Sequence, residues 1–182
     1  MAQSKNNIVT HGLSGKIGDI IVFSQRDGKT IVSKAPRKRT GESSDKQKEQ
    51  QTRFQQAVLY GKSVLADPAQ KALYESTGRR AYNVAVADML KAPKIDRIDL
   101  SNYGGQVGDT IRIRVYDDFK VKQVSVQIYN SNGTLLEEGE AILEGIDWVY
   151  TATAINTELA GDKIVVRATD LPDNLAEFSQ LL

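Results

Sequence analysis

The sequence contains no cysteine and a single histidine in 182 residues. The first absence excludes disulfides, thiolate nucleophiles and cysteine-based zinc sites. The second excludes a multi-histidine metal centre within one chain. No stretch approaches the ~20 apolar residues of a membrane helix. The polar opening Met1-Ala2-Gln3-Ser4-Lys5-Asn6-Asn7 lacks the apolar segment of a signal peptide. The expectation is a chain that stays in the cytoplasm after synthesis or enters an intracellularly assembled particle, with no membrane partner. What is present is ordinary: 40% hydrophobic and 26% charged residues. That is the composition of a folded domain rather than of a disordered segment. The chain is long enough to bury a core without staples.

A net charge of +1 conceals a division. Residues 1–93 carry 16 Lys and Arg against 8 Asp and Glu, a net +8; residues 94–182 carry 8 against 15, a net −7. Such asymmetry points to a charged partner, including a second copy of the chain, or to two unrelated domain surfaces.

Three zones follow along the chain. In residues 8–36, Ile20-Ile21-Val22-Phe23-Ser24 and Thr30-Ile31-Val32-Ser33 flank Asp27-Gly28. Asp-Gly between β-branched runs predicts a hairpin, because the tight turn requires positive φ at both central positions. Pairing across it sets Phe23 opposite Val32 and Ser24 opposite Ile31, with apolar groups on both faces. An isolated hairpin is marginal in water. This one therefore needs a cover, and Ile20, Val22, Phe23 and Val32 are the candidate interface. The segment Ala35-Pro36-Arg37-Lys38-Arg39-Thr40-Gly41 reads as a linker.

Residues 44–91 read as helical. Ser44 and Gln47 have capping-box spacing, and Phe54, Ala57, Val58, Gly61 and Leu65 fall on one stripe. The turns from Asp45 to Arg53 hold no apolar residue. Asp67-Pro68 restarts a helix with its N-cap and first residue, and Gly78 ends it. Ala81–Leu90 follows, with Tyr82, Ala85, Val86 and Met89 on one face. Lys91-Ala92-Pro93 closes the zone.

Residues 94–182 alternate. Ile111, Ile113 and Val115 interleave with Arg112, Arg114 and Tyr116; Val124, Val126 and Ile128 do so with Ser125, Gln127 and Tyr129. With Ile95–Leu100, Thr134–Leu136 after Asn132-Gly133, Trp148–Thr151, Lys163–Thr169 and Leu175–Phe178, about seven strands are expected. The period and spacing predict an antiparallel immunoglobulin-like β-sandwich without the disulfide. The fold class expected is α+β, with residues 1–93 as a hairpin-and-helix domain and 94–182 as the sandwich.

The opening His11-Gly12-Leu13-Ser14-Gly15-Lys16-Ile17-Gly18, the turn Lys34-Ala35-Pro36-Arg37, and Gln50, Arg53, Phe54 and Ala57 resemble the start of a family of bacterial proteins of unknown function. The C-terminal part is similar to the immunoglobulin-like domains of bacterial and phage surface proteins. The resemblance implies no activity and no set of catalytic residues.

Motifs that carry chemistry are few. Gly12-Leu13-Ser14-Gly15-Lys16 lacks the P-loop spacing, and Ile17 stands where Ser or Thr would bind magnesium. His11 lies near Ser14, but no nucleophile elbow surrounds them. Asp117-Asp118 with Asp109 and Asp147 offers oxygen ligands for calcium without the spacing of a calcium loop; solvated loops are the plainer reading. Arg37, Lys38 and Arg39 form a basic patch for nucleic acid, unsupported by aromatic interleaving or a recognition motif. Trp148 reads as core. The function expected is therefore non-enzymatic, with no cofactor: a structural or interaction protein that self-assembles head to tail. A nucleic-acid-associated protein using the basic half is the alternative.

Overall fold

The computed structural model of the chain describes residues 2–4, 8–36 and 41–182. It is a mixed α and antiparallel β structure whose strands form three sheets. The chain divides into two compact units, Met1–Ser44 and Asp45–Leu182. The expected break at 93/94 lies inside the second.

The first unit is a four-stranded sheet in the order β1-β4-β3-β2. Its strands are β1 (Ala2–Ser4), β2 (Gly15–Ile17), β3 (Ile21–Arg26) and β4 (Lys29–Lys34). The hairpin of β3 and β4 has the expected register, with Phe23 opposite Val32 and Ser24 opposite Ile31. Its turn holds Asp27 at φ 50° and Gly28 at φ 73°, the paired positive φ values of the tight hairpin turn. Thr30 and Ala35 are buried; Val22, Phe23, Ile31 and Val32 are half-buried, and Ile8, Val9, Ile17 and Ile20 are exposed.

The second unit opens with three helices: α1 (Asp45–Ala66), α2 (Pro68–Glu75) and α3 (Ala81–Leu90). The N-cap of α2 is as expected. Asp67 Oδ1 accepts from the backbone N–H groups of Ala69 (2.8 Å) and Gln70 (3.2 Å), and Pro68 occupies the first turn. The stripe of α1 differs from the expected one. Ala57, Gly61 and Val64 are buried, whereas Phe54 and Leu65 are 52% and 44% exposed. The bare backbone at Gly61 admits α3, since a Cβ there would lie 2.8 Å from Val86 Cγ2 and 3.0 Å from the Tyr82 ring. Close approach of two helices selects the smallest residues on the stripe, not the largest. All residues from Asp45 to Arg53 are exposed, as their polarity allows. No helix among the described residues is long and apolar enough to cross a membrane.

Eight strands follow: β5 (Lys94–Asp99), β6 (Thr110–Tyr116), β7 (Val121–Tyr129), β8 (Leu135–Glu140), β9 (Ile142–Glu144), β10 (Asp147–Thr151), β11 (Lys163–Asp170) and β12 (Leu175–Leu181). They form two sheets, β5-β6-β10-β9 and β12-β11-β7-β8. β9 is the strand that period-2 reading does not find, because its three residues are all exposed. One apolar core draws on both sheets: Ile111, Ile113 and Val115 of β6, Tyr150 of β10, Val124, Val126 and Ile128 of β7, and Ile164, Val166 and Ala168 of β11. Alternate residues of each strand point inward, as the pleat dictates. Trp148, opposite Ile113, packs half-buried against the same core.

One charge lies at the edge of this core. Glu137 pairs across the ladder with the inward-facing Ile128, so it too points inward. Its Oε2 accepts from Tyr150 Oη (3.0 Å), Thr153 N (2.7 Å), Thr153 Oγ1 (2.9 Å) and Ala154 N (3.1 Å). Four donors offset the desolvation of a carboxylate and fasten β8 to the segment after β10. A second, smaller cluster joins Val64, Tyr74, Ala81 and Ala85 of the helices to Phe119 and Leu171, which lie beyond β6 and β11.

Candidate functional site

The chemistry-bearing cluster of the described residues lies where α3 meets two loops of the sheets. Asp88 comes from the last turns of α3, Asp117 from just after β6, and Asp170 from the end of β11. One carboxylate oxygen from each lies within 4.8 Å of the others. Asp88 and Asp170 are 1% and 0% exposed, and Asp117 is half-buried.

Local structure fixes each group. Asp117 Oδ2 accepts from the N–H groups of Phe119 (3.0 Å) and Lys120 (2.8 Å), closing the loop onto itself. Asn174 holds Asp170: its backbone N–H donates to Oδ1 at 2.7 Å and its Nδ2 to Oδ2 at 2.8 Å. The same Nδ2 reaches the carbonyls of Asp88 (3.1 Å) and Lys91 (3.2 Å), bridging the β11–β12 turn to the end of α3. Tyr74 Oη donates to Asp88 Oδ2 at 2.6 Å and shares a 2.8 Å hydrogen bond with Tyr60 Oη. The Tyr74 ring stacks on Phe119 at 4.3 Å between centroids.

Burial, with the Asp117 and Asp170 carboxylates nearby, holds the Asp88 carboxyl up at about 7 against the opposing hydrogen bond from Tyr74. Burial raises Asp170 as well, with Asn174 opposing. Tyr74 is pushed up by burial and by donating to Asp88. Of the three buried side-chain oxygens without a hydrogen-bond partner among the described residues, two lie here, Asp88 Oδ1 and Asp117 Oδ1; the third is Glu137 Oε1. Among the described residues no lysine or arginine forms an ion pair with any of the three; the neighbouring cations Lys91 and Lys122 pair with Asp118 and Asp173 instead. A cavity of about 320 Å³ opens beside Asp88, with Arg79, Asp118 and Phe119 in its wall. An all-oxygen set of this kind can share a proton or hold a hard cation.

Of the acidic residues singled out in the sequence, only Asp117 belongs to this cluster. Asp118 pairs with Lys91 and Asp147 with Arg114. Asp109 Oδ2 accepts from the N–H groups of Gly104 (2.7 Å) and Gln106 (2.9 Å). Asp118, Asp109 and Asp147, which the sequence reads most plainly as residues of solvated loops, thus do not join Asp117; Asp88 and Asp170 do. Asp88 is not among the acidic residues singled out in the sequence, yet it carries a signal: it stands seven residues after Ala81 and three after Ala85, on their buried stripe. Val22, Phe23 and Val32 lie half-buried on the β3–β4 hairpin, Phe23 and Val32 paired on one face and Val22 on the other, while Ile20, 71% exposed, sits in the turn between β2 and β3. His11 is exposed. The basic patch Arg37, Lys38 and Arg39 lies outside the described residues.

No family model matches the chain, and no curated protein matches it. Two solved structures are weakly similar. One is an engineered protein, 15% identical, with a TM-score of 0.36 over 55% of this chain and 26% of its own length. The other is a conjugative transposon lipoprotein from Bacteroides eggerthii, 16% identical, with a TM-score of 0.27 over 48% of this chain and 92% of its own. The chain thus spans about a quarter of the first neighbour's length. Likenesses at this level carry no argument about fold or function.

Proposed function

We propose that this is a non-enzymatic interaction protein that self-assembles through its N-terminal sheet. One observation carries the reading: among the described residues, the sheet of β1 to β4 has no core of its own. Both apolar clusters of the described residues consist of residues from Tyr60 onward, while Ile17 and Ile20 are 60% and 71% exposed. A sheet with apolar groups on both faces and open edges is a surface for another chain. Charge selects a second copy as the partner. Residues 1–44 carry 8 Lys and Arg against 3 Asp and Glu, whereas residues 94–182 are net −7. Exposed Glu138 and Glu140 lie on the edge strand β8, and exposed Glu144 on β9. The basic sheet of one copy against the acidic sheets of the next is a head-to-tail contact, which closes into rings or continues as filaments.

The C-terminal pair of sheets is proposed to be immunoglobulin-like. The orders β5-β6-β10-β9 and β12-β11-β7-β8 correspond strand for strand to the A-B-E-D and G-F-C-C′ sheets of that fold. This supports a binding module, a role in which loops and edges rather than a cleft meet the partner.

Light scattering on the full chain tests the self-assembly. The expected result is association at about 100 μM in low salt, slowed at about 0.5 M salt where screening shortens the reach of charge, and lost in Phe23→Asp that retains the wild-type melt. A monomer under all these conditions overturns the reading. Salt-sensitive binding to random duplex by that monomer would favour the nucleic-acid alternative.

A further inference from the structure

We propose that Asp88, Asp117 and Asp170 form a binding site for one hard divalent cation of the size of calcium. The inference is independent of self-assembly. Proximity of the carboxylates is only the first observation. The second is that Asp88 Oδ1 and Asp117 Oδ1 are buried without any hydrogen-bond partner, on a side chain 1% exposed in the case of Asp88. Buried polar atoms are almost always satisfied, so a ligand that accepts lone pairs belongs between them. The third is that no protein cation among the described residues pairs with any of the three groups.

The remaining oxygens are already engaged in a way that orients the set. Tyr74 holds Asp88 Oδ2, the Phe119 and Lys120 N–H groups hold Asp117 Oδ2, and Asn174 holds Asp170. Such outer contacts fix ligand direction in metal sites. Oxygen-only ligation suits a hard ion rather than zinc or copper. Two oxygens about 2.4 Å from one calcium ion lie at most about 4.8 Å apart, and one oxygen from each of the three carboxylates lies within that limit of the others. Magnesium demands stricter octahedral geometry at about 2.1 Å. A bound ion would join α3, the loop after β6 and the end of β11 at one point.

The alternative occupant of the gap is a single proton shared by Asp88 and Asp117, and calorimetric titration of the full chain with calcium chloride at neutral pH separates the two. The expected result is one saturable site with a dissociation constant of about 10⁻⁵–10⁻³ M. The Tm should rise by about 5–10 °C at a hundredfold excess over that constant. Asp117→Asn should weaken binding at least about tenfold, while Glu144→Gln on the exposed strand β9 leaves it unchanged. Should Asp117→Asn fail to fold, terbium luminescence of the unsubstituted protein decides. A terbium ion in the site is excited through Tyr74, and calcium should displace it. No saturable uptake and no change in Tm up to about 10 mM calcium, no tyrosine-sensitised emission, or full affinity in folded Asp117→Asn would each overturn the proposal.

Discussion

In the C-terminal pair of sheets, Ile111, Ile113, Val124, Val126, Ile128, Ile164 and Val166 are each 0% exposed. In the N-terminal sheet, a hairpin of equally β-prone residues buries Thr30 and leaves Val22, Phe23, Ile31 and Val32 only half-buried, with Ile20 in the preceding turn 71% exposed. Local propensity does not distinguish the two regions. What differs is the second layer: sheets β5-β6-β10-β9 and β12-β11-β7-β8 place their inward residues in one shared core, and among the described residues the N-terminal sheet forms no such cluster of its own. Full burial of a Val or Ile side chain contributes about 1.5–3 kcal/mol. The C-terminal region is therefore stable by its own packing, and the described residues of the N-terminal sheet have no comparable packing among themselves.

The largest expected effect comes from opening a cavity in the shared core. Ile113→Ala should lower the urea-unfolding free energy by about 2–5 kcal/mol; a loss under 1 kcal/mol would mean that this core is not what holds the region together. Next is the junction between the helices and the sheets. Tyr74→Phe removes the donor to Asp88 Oδ2 and should destabilise by about 1–3 kcal/mol, read in the same assay with chelator present.

The hairpin, by contrast, needed no tertiary information. Its turn residues and its register are decided by contacts fewer than ten residues apart, which is why Phe23 and Val32 were legible as partners. Asp88 was harder to read. A carboxylate on a stripe with Ala81 and Ala85 reads as polar by identity and as buried by position, and identity prevailed. Glu137 was hidden for a related reason: its inward direction follows from pairing with Ile128 beside a register shift in the ladder.

A third prediction uses pH, again in chelator. The Asp88 carboxyl is held at about 7 in the folded protein and lies near 3.8 when unperturbed. Between those values the folded state binds more protons than the unfolded one, so this group's contribution falls as pH rises. The urea midpoint should therefore decrease from about pH 5 to pH 8, and Asp88→Asn should flatten that slope. A midpoint rising over this range in the unsubstituted chain would contradict the burial of Asp88. The smallest effect belongs to the N-terminal sheet. Ile20→Ala should change the monomer's unfolding free energy by less than about 0.5 kcal/mol while weakening association measured by light scattering. A loss comparable to that of Ile113→Ala would show that the sheet has a core after all and would erase the contrast between the two regions.

The sequence by itself determined the elements whose causes are local: the Asp27-Gly28 hairpin, the Asp67-Pro68 helix start, and the alternating strands from Ile111 to Ile128. It also determined the charge division, since charge is a count. Only the tertiary structure decided which stripe of α1 is buried, because Gly61 lies against Val86 and Tyr82 of another helix. Only the tertiary structure gathered Asp88, Asp117 and Asp170, which are separated by 29 and 53 positions in the chain. The physical reason is the same in each case. Turns and caps are set by the backbone's own hydrogen bonds and φ preferences, whereas burial is set by what a neighbouring element presents, and no local pattern records that neighbour.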